Sequence, residues 1–466
     1  TMEMAANMPD AKPQAMPGLE KTVVVKLAKT ASGAARLGSG NDAAAKQWKE
    51  LSARFPGAEF EPYFSTTAES SLRALSRGKA GGEDFGGDDI RLWSYVRITV
   101  PAGADAAEIV KTVSGWASVE SAYIEPGPAP PPLVNANDDP MSAEQGYLGA
   151  APEGIDARFA WDMADGSGVL FVDVEQGWTL NHRDLKRAKI SVISGENAAY
   201  HGHGTAVLGE VVGVDNKIGV IGIAPKAKAQ VVSQYRTMSR YSTAEAIVSA
   251  ASVMQAGDIM LLEAQTPIGN SDVYLPVEVY PAEFDAIAAA TRKGIIVIEA
   301  GGNGSADLDK TRNAVGKLSL NRKSPEFKDS GAIMVGAASS VHPHMRMSFS
   351  NHGSRIDCFG WGENVATTSD GWQSQDPTIY TSTFSGTSSA SPIVAGAAVL
   401  LQSWAKQQGR VYSPKELRSL LCDRKLNTRS KSPKTDRIGV LPNLKNIIQS
   451  EEGMEVSLPA SAGLDE

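Results

Sequence analysis

The sequence predicts an α/β protein: a three-layer domain with a mostly parallel central sheet, preceded by a small α+β domain. Three observations predict it. From Ile155 onward, short apolar runs at residues 169–174, 230–233, 259–262, 295–299 and 332–336 recur between helical periodicities, which is how strands buried on both faces read. The helices between them carry their own punctuation. Ser242 with Glu245 precedes an apolar 247–254, Gly294 closes 282–293, and Ser413-Pro414-Lys415-Glu416 opens a helix through Leu417, Leu420 and Leu421. Upstream, strand and helix patterns follow one another as β-α-β-β-α-β, a split βαβ unit.

In chain order, residues 1–20 are Met-, Ala- and Pro-rich without periodicity and read as a disordered lead-in. The small domain is expected over 21–126. It starts with a strand at 22–27, then Ala44, Trp48, Leu51 and Phe55 at helical spacing, then a strand at 58–64. A Gly- and Asp-rich loop at 78–89 leads to a strand at 93–100, a helix marked by Ile109, Val110, Val113 and Trp116, and a last strand at 119–125. Residues 127–140 are expected to be an extended linker, because a run such as Pro130-Pro131-Pro132 cannot build a helix. The large domain is expected over 141–449 and an acidic, mobile tail over 450–466.

Composition narrows the function. The 466 residues are 42% hydrophobic and 21% charged, an ordinary globular balance, and the net charge of −8 argues against a nucleic-acid partner. No stretch has the apolar length of a membrane helix, so no membrane partner is expected. Two cysteines, Cys358 and Cys422, are too few for a disulfide framework and are either one bridge or two thiols. Residues 1–20 lack the apolar core of an export signal. The expectation is therefore a cytoplasmic protein or one exported without such a signal, and an extracellular one if a signal has been trimmed away.

The chemistry centres on Phe384-Ser385-Gly386-Thr387-Ser388-Ser389-Ala390-Ser391-Pro392. A helix is expected to start near Ser388, with Pro392 in its first turn, so that free N–H groups and the positive helix end face the Ser388 hydroxyl. A serine needs a base to act as a nucleophile. His203, in His201-Gly202-His203-Gly204-Thr205, is the candidate base, and Asp173, ending the buried run from Gly168, is the candidate orienting carboxylate at the end of its strand. The competing hydroxyls Ser385, Ser389 and Ser391 do not follow Gly-Thr, and His201 is taken as a neighbour of the site or a substrate contact.

These residues resemble the subtilisin-like serine proteases (subtilases). Gly-Thr-Ser-x-Ala-Ser-Pro at 386–392, His-Gly-Thr at 203–205 and Ala300-Gly301-Gly302-Asn303-Gly304 carry the resemblance. It is supported by His182-Arg183-Asp184-Leu185, Gly222-Ile223-Ala224-Pro225 and Phe349-Ser350-Asn351, and spans roughly 140–445. It implies a subtilisin-like fold and serine endopeptidase activity on protein or peptide substrates. Catalytic Asp173, His203 and Ser388 and an oxyanion-hole Asn303 are the roles it implies. It places Glu263, Ala264 and Gln265, with Ala300, Gly301 and Gly302, along the substrate; the Glu263 carboxylate is expected either to favour a basic side chain or to point away into a salt bridge. The segment Tyr235 to Tyr241 would pair with the substrate backbone.

The small domain resembles the inhibitory propeptide of subtilases (inhibitor I9 type, ferredoxin-like). The chain is thus expected to be a latent precursor, inhibited by its own propeptide and cut by itself after it. No cofactor is expected. Calcium is common among relatives, and Asp307-Leu308-Asp309 offers oxygen ligands. The pairs His201/His203 and His342/His344 have no partners at zinc-site spacing, so no metal ligands are assigned. The competing reading is an inactive relative that binds peptides without cutting them. An α/β-hydrolase is excluded by the order Asp, His, Ser and the lack of Gly-x-Ser-x-Gly.

Overall fold

A computed structural model describes residues 21–29, 43–65, 68–71, 73, 91–125, 139–372, 374–454 and 456. The lead-in, the loop at 78–89 and most of the expected linker lie outside these. The chain forms two compact units, dividing between Pro132 and Leu133.

In the first unit β1 (Thr22–Leu27), β2 (Glu59–Pro62), β3 (Tyr95–Thr99) and β4 (Val119–Ile124) form an antiparallel sheet in the order β2-β3-β1-β4. Two helices, Ala43–Arg54 and Ala106–Ser114, carry apolar stripes onto one face, where Trp48, Leu51, Ile109 and Val113 pack on Val23, Val25 and Ile98. The order of elements is the split βαβ pattern expected from the sequence.

The second unit is built on nine strands, β18-β19-β15-β14-β13-β10-β5-β7-β6. They are β5 (Leu170–Glu175), β6 (Ser191–Ser194), β7 (Lys228–Ser233), β10 (Ile259–Leu262), β13 (Ile296–Ala300), β14 (Ile333–Ala338), β15 (Cys358–Trp361), β18 (Thr428–Arg429) and β19 (Val440–Leu441). Every pairing is parallel except the edge pair β18–β19. Both faces are covered. The alternate residues Val172, Val174, Met260, Leu262 and Val297 meet helices Thr243–Val253 and Pro281–Arg292. Phe171, Leu261 and Ile298 face the other way, toward the histidine helix (His201–Val212) and the serine helix (Thr387–Gln407). Short pairs β8 (Tyr235–Thr237) with β9 (Arg240–Tyr241), β11 (Gln265–Thr266) with β12 (Leu275–Pro276), and β16 (Val365–Thr368) with β17 (Tyr380–Phe384) are antiparallel.

The chain leaves β5 outward to β6 and β7 and returns to β10 on its other side. The carboxyl ends of β5 and β10 therefore lie where the strand order reverses, the usual ligand position in an open parallel sheet.

Four expectations need correction. The serine helix begins at Thr387, so Pro392 falls in its second turn and leaves the Ser388 carbonyl without its normal helical donor. Both Ser242 and Ser413 were expected to form capping boxes, in which the cap serine and a glutamate three residues on bond each other's backbone N–H; Ser242 accepts from Glu245 N, and the reciprocal pair is complete at Ser413 and Glu416. The expected linker ends too late, since Asp139 is fully buried and Met141 N donates to Gly219 O. The last helix, Leu444–Glu451, takes in the start of the expected tail because Leu444, Ile447 and Ile448 bury one face.

Candidate active site

The site grows out of β5. Its alternation sends Phe171, Asp173 and Glu175 to the face that carries the histidine and serine helices. The sequence reading gave this strand as 169–174 and put Asp173 at its carboxyl end, but pairing continues to Glu175, opposite Ser233 of β7. Asp173 is consequently internal, between Val231 and Leu261, and fully buried. Glu175 is the carboxylate at the strand's end, and the length of its side chain carries it to the imidazole: Oε2 lies 2.5 Å from His203 Nδ1. Asp173 instead accepts from Trp178 Nε1 at 2.7 Å. The expectation that Asp173 meets His203 is thus corrected by two residues.

Asp173 and Glu175 act on each other. Asp173 Oδ1 and Glu175 Oε1 are both buried and find no N–H or O–H donor from other residues. The two carboxyls interact with one another, and a hydrogen bond between two such groups requires a shared proton. Burial pushes both groups well above the ordinary carboxylate range. The Glu175 charge pushes Asp173 further up, whereas the interaction with Asp173 pulls Glu175 down. The resulting line runs Trp178 to Asp173 to Glu175 to His203.

His203 stands on the first turn of its helix with 26% of its side chain open to solvent. Its surroundings still desolvate it, which lowers its proton affinity, and Glu263 and Asp173 oppose that shift. Phe384 packs edge-on against its ring, 5.7 Å between centroids. Gly204 is obligatory because a Cβ there would fall 2.1 Å from Gly177 O and against the Trp178 indole. His201 is half-buried and its Nε2 lies 3.3 Å from Asn197 O.

Ser388 shares a cleft of about 310 Å³ with Glu175, His203, Glu263, Ala264, Gln265, Ala300 and Thr387. Gly386, at φ +100°, turns the chain from β17 into the helix. Thr387 N and Oγ1 both donate to Asn303 Oδ1 at 2.9 Å, which turns the Asn303 amide nitrogen away from Thr387. Gly302 and Ser305, not Asn303, take positive φ in the loop that follows β13. Asn351 braces the loop, accepting from Gly304 and Ala306 and donating to Tyr274 and Gly301. Gln265 Oε1 accepts from Asn303 N at 2.9 Å. Gly301 N is bonded to Val335 O behind the cleft, where neither it nor Gly302 lines the wall.

Glu263 was expected to select substrate charge, but it is only 6% exposed and bonded to Ser391 Oγ under the serine helix. Burial pushes it up to about 8. Tyr200, Tyr274, Gln176 and Gln234 also line the cleft and were not singled out in the sequence. Only the turn-forming company of Tyr200 beside His201 hinted at it.

Among the described residues no three His, Cys, Asp or Glu side chains converge as a metal site. Asp307 and Asp309 are taken up by Arg437, and Asp309 also by Ser354. His344 has both ring nitrogens on carbonyl oxygens, of Ser339 and Pro152. Cys358 and Cys422 are free thiols with Sγ atoms 3.9 Å apart.

A parallel sheet with an imidazole and a helix-start serine at its switch point is the build of an α/β serine peptidase. A model of the Subtilase family (Peptidase S8) matches residues 175–440, more than half of the chain. Subtilisin Savinase of Lederbergia lenta is 30% identical over 252 residues, covering 53% of this chain and 81% of that protein. Thermitase of Thermoactinomyces vulgaris is 28% identical over 285 residues, covering 59% and 87%. Fervidolysin from Fervidobacterium pennivorans, a keratinolytic enzyme related to subtilisin, shares the fold with a TM-score of 0.50 at 14% identity, covering 92% of this chain and 61% of that one. The chain belongs to the subtilase family: it is a subtilisin-like serine endopeptidase that acts on protein or peptide substrates.

Proposed function

We propose that peptide hydrolysis runs through Ser388, His203 and Glu175, with Asp173 behind Glu175. The observation that carries this is the 2.5 Å contact of Glu175 Oε2 with His203 Nδ1, in a cleft that also holds Ser388. Glu175 fixes the tautomer with hydrogen on Nδ1, so Nε2 is free to take the Ser388 proton as the hydroxyl attacks the substrate carbonyl. The imidazolium formed is stabilised by the Glu175 charge and returns its proton to the leaving amine. Oxyanion stabilisation falls to the Asn303 amide and the N–H groups at the start of the serine helix. A fluorophosphonate adduct on Ser388, absent in Ser388→Ala, tests the assignment; wild-type protein that resists labelling would favour a peptide-binding relative that does not cut.

We further propose that the first unit is the inhibitory propeptide and that the segment after Glu125 is cut by the enzyme itself. Support comes from the split βαβ order of the first unit and its position ahead of the peptidase unit. Ser388→Ala protein should remain uncut, with the junction identified by N-terminal sequencing of the wild type. Cleavage of that variant at the wild-type rate would end the proposal.

A further inference from the structure

We propose that Glu263 is a positioning residue for the nucleophile that works as an uncharged acid: it donates its proton to Ser391 beneath Ser388, and losing that proton in alkali lowers activity. The inference rests on Ser388 being the nucleophile.

Proton counting at Ser391 leads there. Its Oγ is hydrogen-bonded to Glu263 Oε1 and lies 2.7 Å from the Thr387 carbonyl. A hydroxyl has one proton, and a carbonyl oxygen only accepts. When Ser391 donates to Thr387, the hydrogen between Ser391 and Glu263 belongs to Glu263. Its other oxygen, Oε2, is buried and meets no donor at hydrogen-bond geometry, the Ser388 hydroxyl being the further group that interacts with this carboxyl. An anion would leave charge unsolvated there, whereas the weaker carbonyl oxygen of an acid costs less.

The groups facing this carboxyl agree. Asp173 and Glu175 reach it from β5, His203 and Glu210 from the histidine helix, and the Ser388 and Ser391 hydroxyls from the serine helix. Glu299 on β13, in register with Leu262, accepts from Glu278 N and lies in the field of Arg355. His203 alone among the facing groups can carry positive charge, and Glu175 already serves it. A Glu263 anion would favour charge on His203 before the reaction and add negative charge to the cleft in which the oxyanion of the attacked carbonyl forms. Its proton is lost to solvent hydroxide, and with it the hydrogen bond under the first turns of the serine helix.

The test is the pH dependence of kcat/KM of the full chain on a chromogenic peptide, for wild type and Glu263→Gln. Wild type should lose about 30-fold between roughly pH 7 and pH 9.5, as a single proton with a midpoint near 8 dictates. In Glu263→Gln the amide still donates to Ser391 but does not ionise, so the ratio of the two rates should stay within about threefold of unity, whatever the absolute rate. The same alkaline fall in the variant, or none in wild type, overturns the proposal. Difference infrared spectra of wild type need no variant. A carboxylic acid band that disappears in step with activity is expected, and no titrating acid band is the contrary result. Fluorophosphonate labelling at pH 7 reads the nucleophile separately. No adduct in either protein removes Ser388 itself, while adducts in both with equal alkaline falls remove only Glu263.

Discussion

Exchanging the two carboxylates of β5 one at a time separates their roles. Glu175→Gln keeps an oxygen for His203 Nδ1 but removes the charge that stabilises the imidazolium. In subtilisin itself, removing the acid of the relay costs about 3 × 10⁴-fold in kcat, which at 1.36 kcal/mol per decade is about 6 kcal/mol. A loss of about 10³- to 10⁴-fold is expected here, since Asp173 remains behind the amide. Asp173→Asn is close to isosteric. Its oxygen still accepts from Trp178 Nε1 and its amide still donates to Glu175. Only the acidity of one donor changes, worth about 1 kcal/mol or roughly fivefold. The assay is kcat/KM on a peptide ester and a peptide amide near pH 7, with circular dichroism to confirm folding. A drop in Asp173→Asn as large as that in Glu175→Gln would refute the assignment of Glu175 to His203.

Further outcomes follow from the same geometry. Asn303→Ala should lower kcat about 100- to 1,000-fold with little change in KM, a magnitude drawn from the same substitution site in subtilisin; an unchanged kcat would remove Asn303 from the oxyanion site. Burial raises Asp184 from 3.8 to about 7 and moves Asp173, Glu175 and Glu210 the same way. Groups raised in the folded state stabilise it fully below their unfolded values and lose that contribution as pH climbs through the folded ones. The melting temperature should therefore fall as pH rises from about 4 to about 7, and less steeply in Asp184→Asn, as read by calorimetry. Thiol titration should find two reactive cysteines in denaturant, and in the native protein a slow reaction confined to half-buried Cys422.

The serine, the histidine and the parallel core were legible because each leaves a dense local pattern: small residues where backbones touch, apolar runs where a strand is covered twice. Glu175 was missed because a strand end is uncertain by a residue or two, and the period of two makes Asp173 and Glu175 equally suited to the site face. The deciding facts are the register with Ser233 and the longer reach of glutamate, neither of which is local. Glu263 was placed correctly beside the cleft, but its direction depends on Ser391, 128 residues away. Pro392 was expected in the first turn because an isolated helix would demand it. In the folded chain the tertiary contacts of a helix buried along nearly its whole length outweigh one lost hydrogen bond.

The most direct measurement is the site and rate of fluorophosphonate modification, mapped by mass spectrometry, in wild type and in His203→Ala. The relay predicts one adduct, on the peptide containing Ser388, forming at least a thousandfold faster in wild type than without the imidazole. An adduct on another hydroxyl, or equal rates in the two proteins, would contradict it.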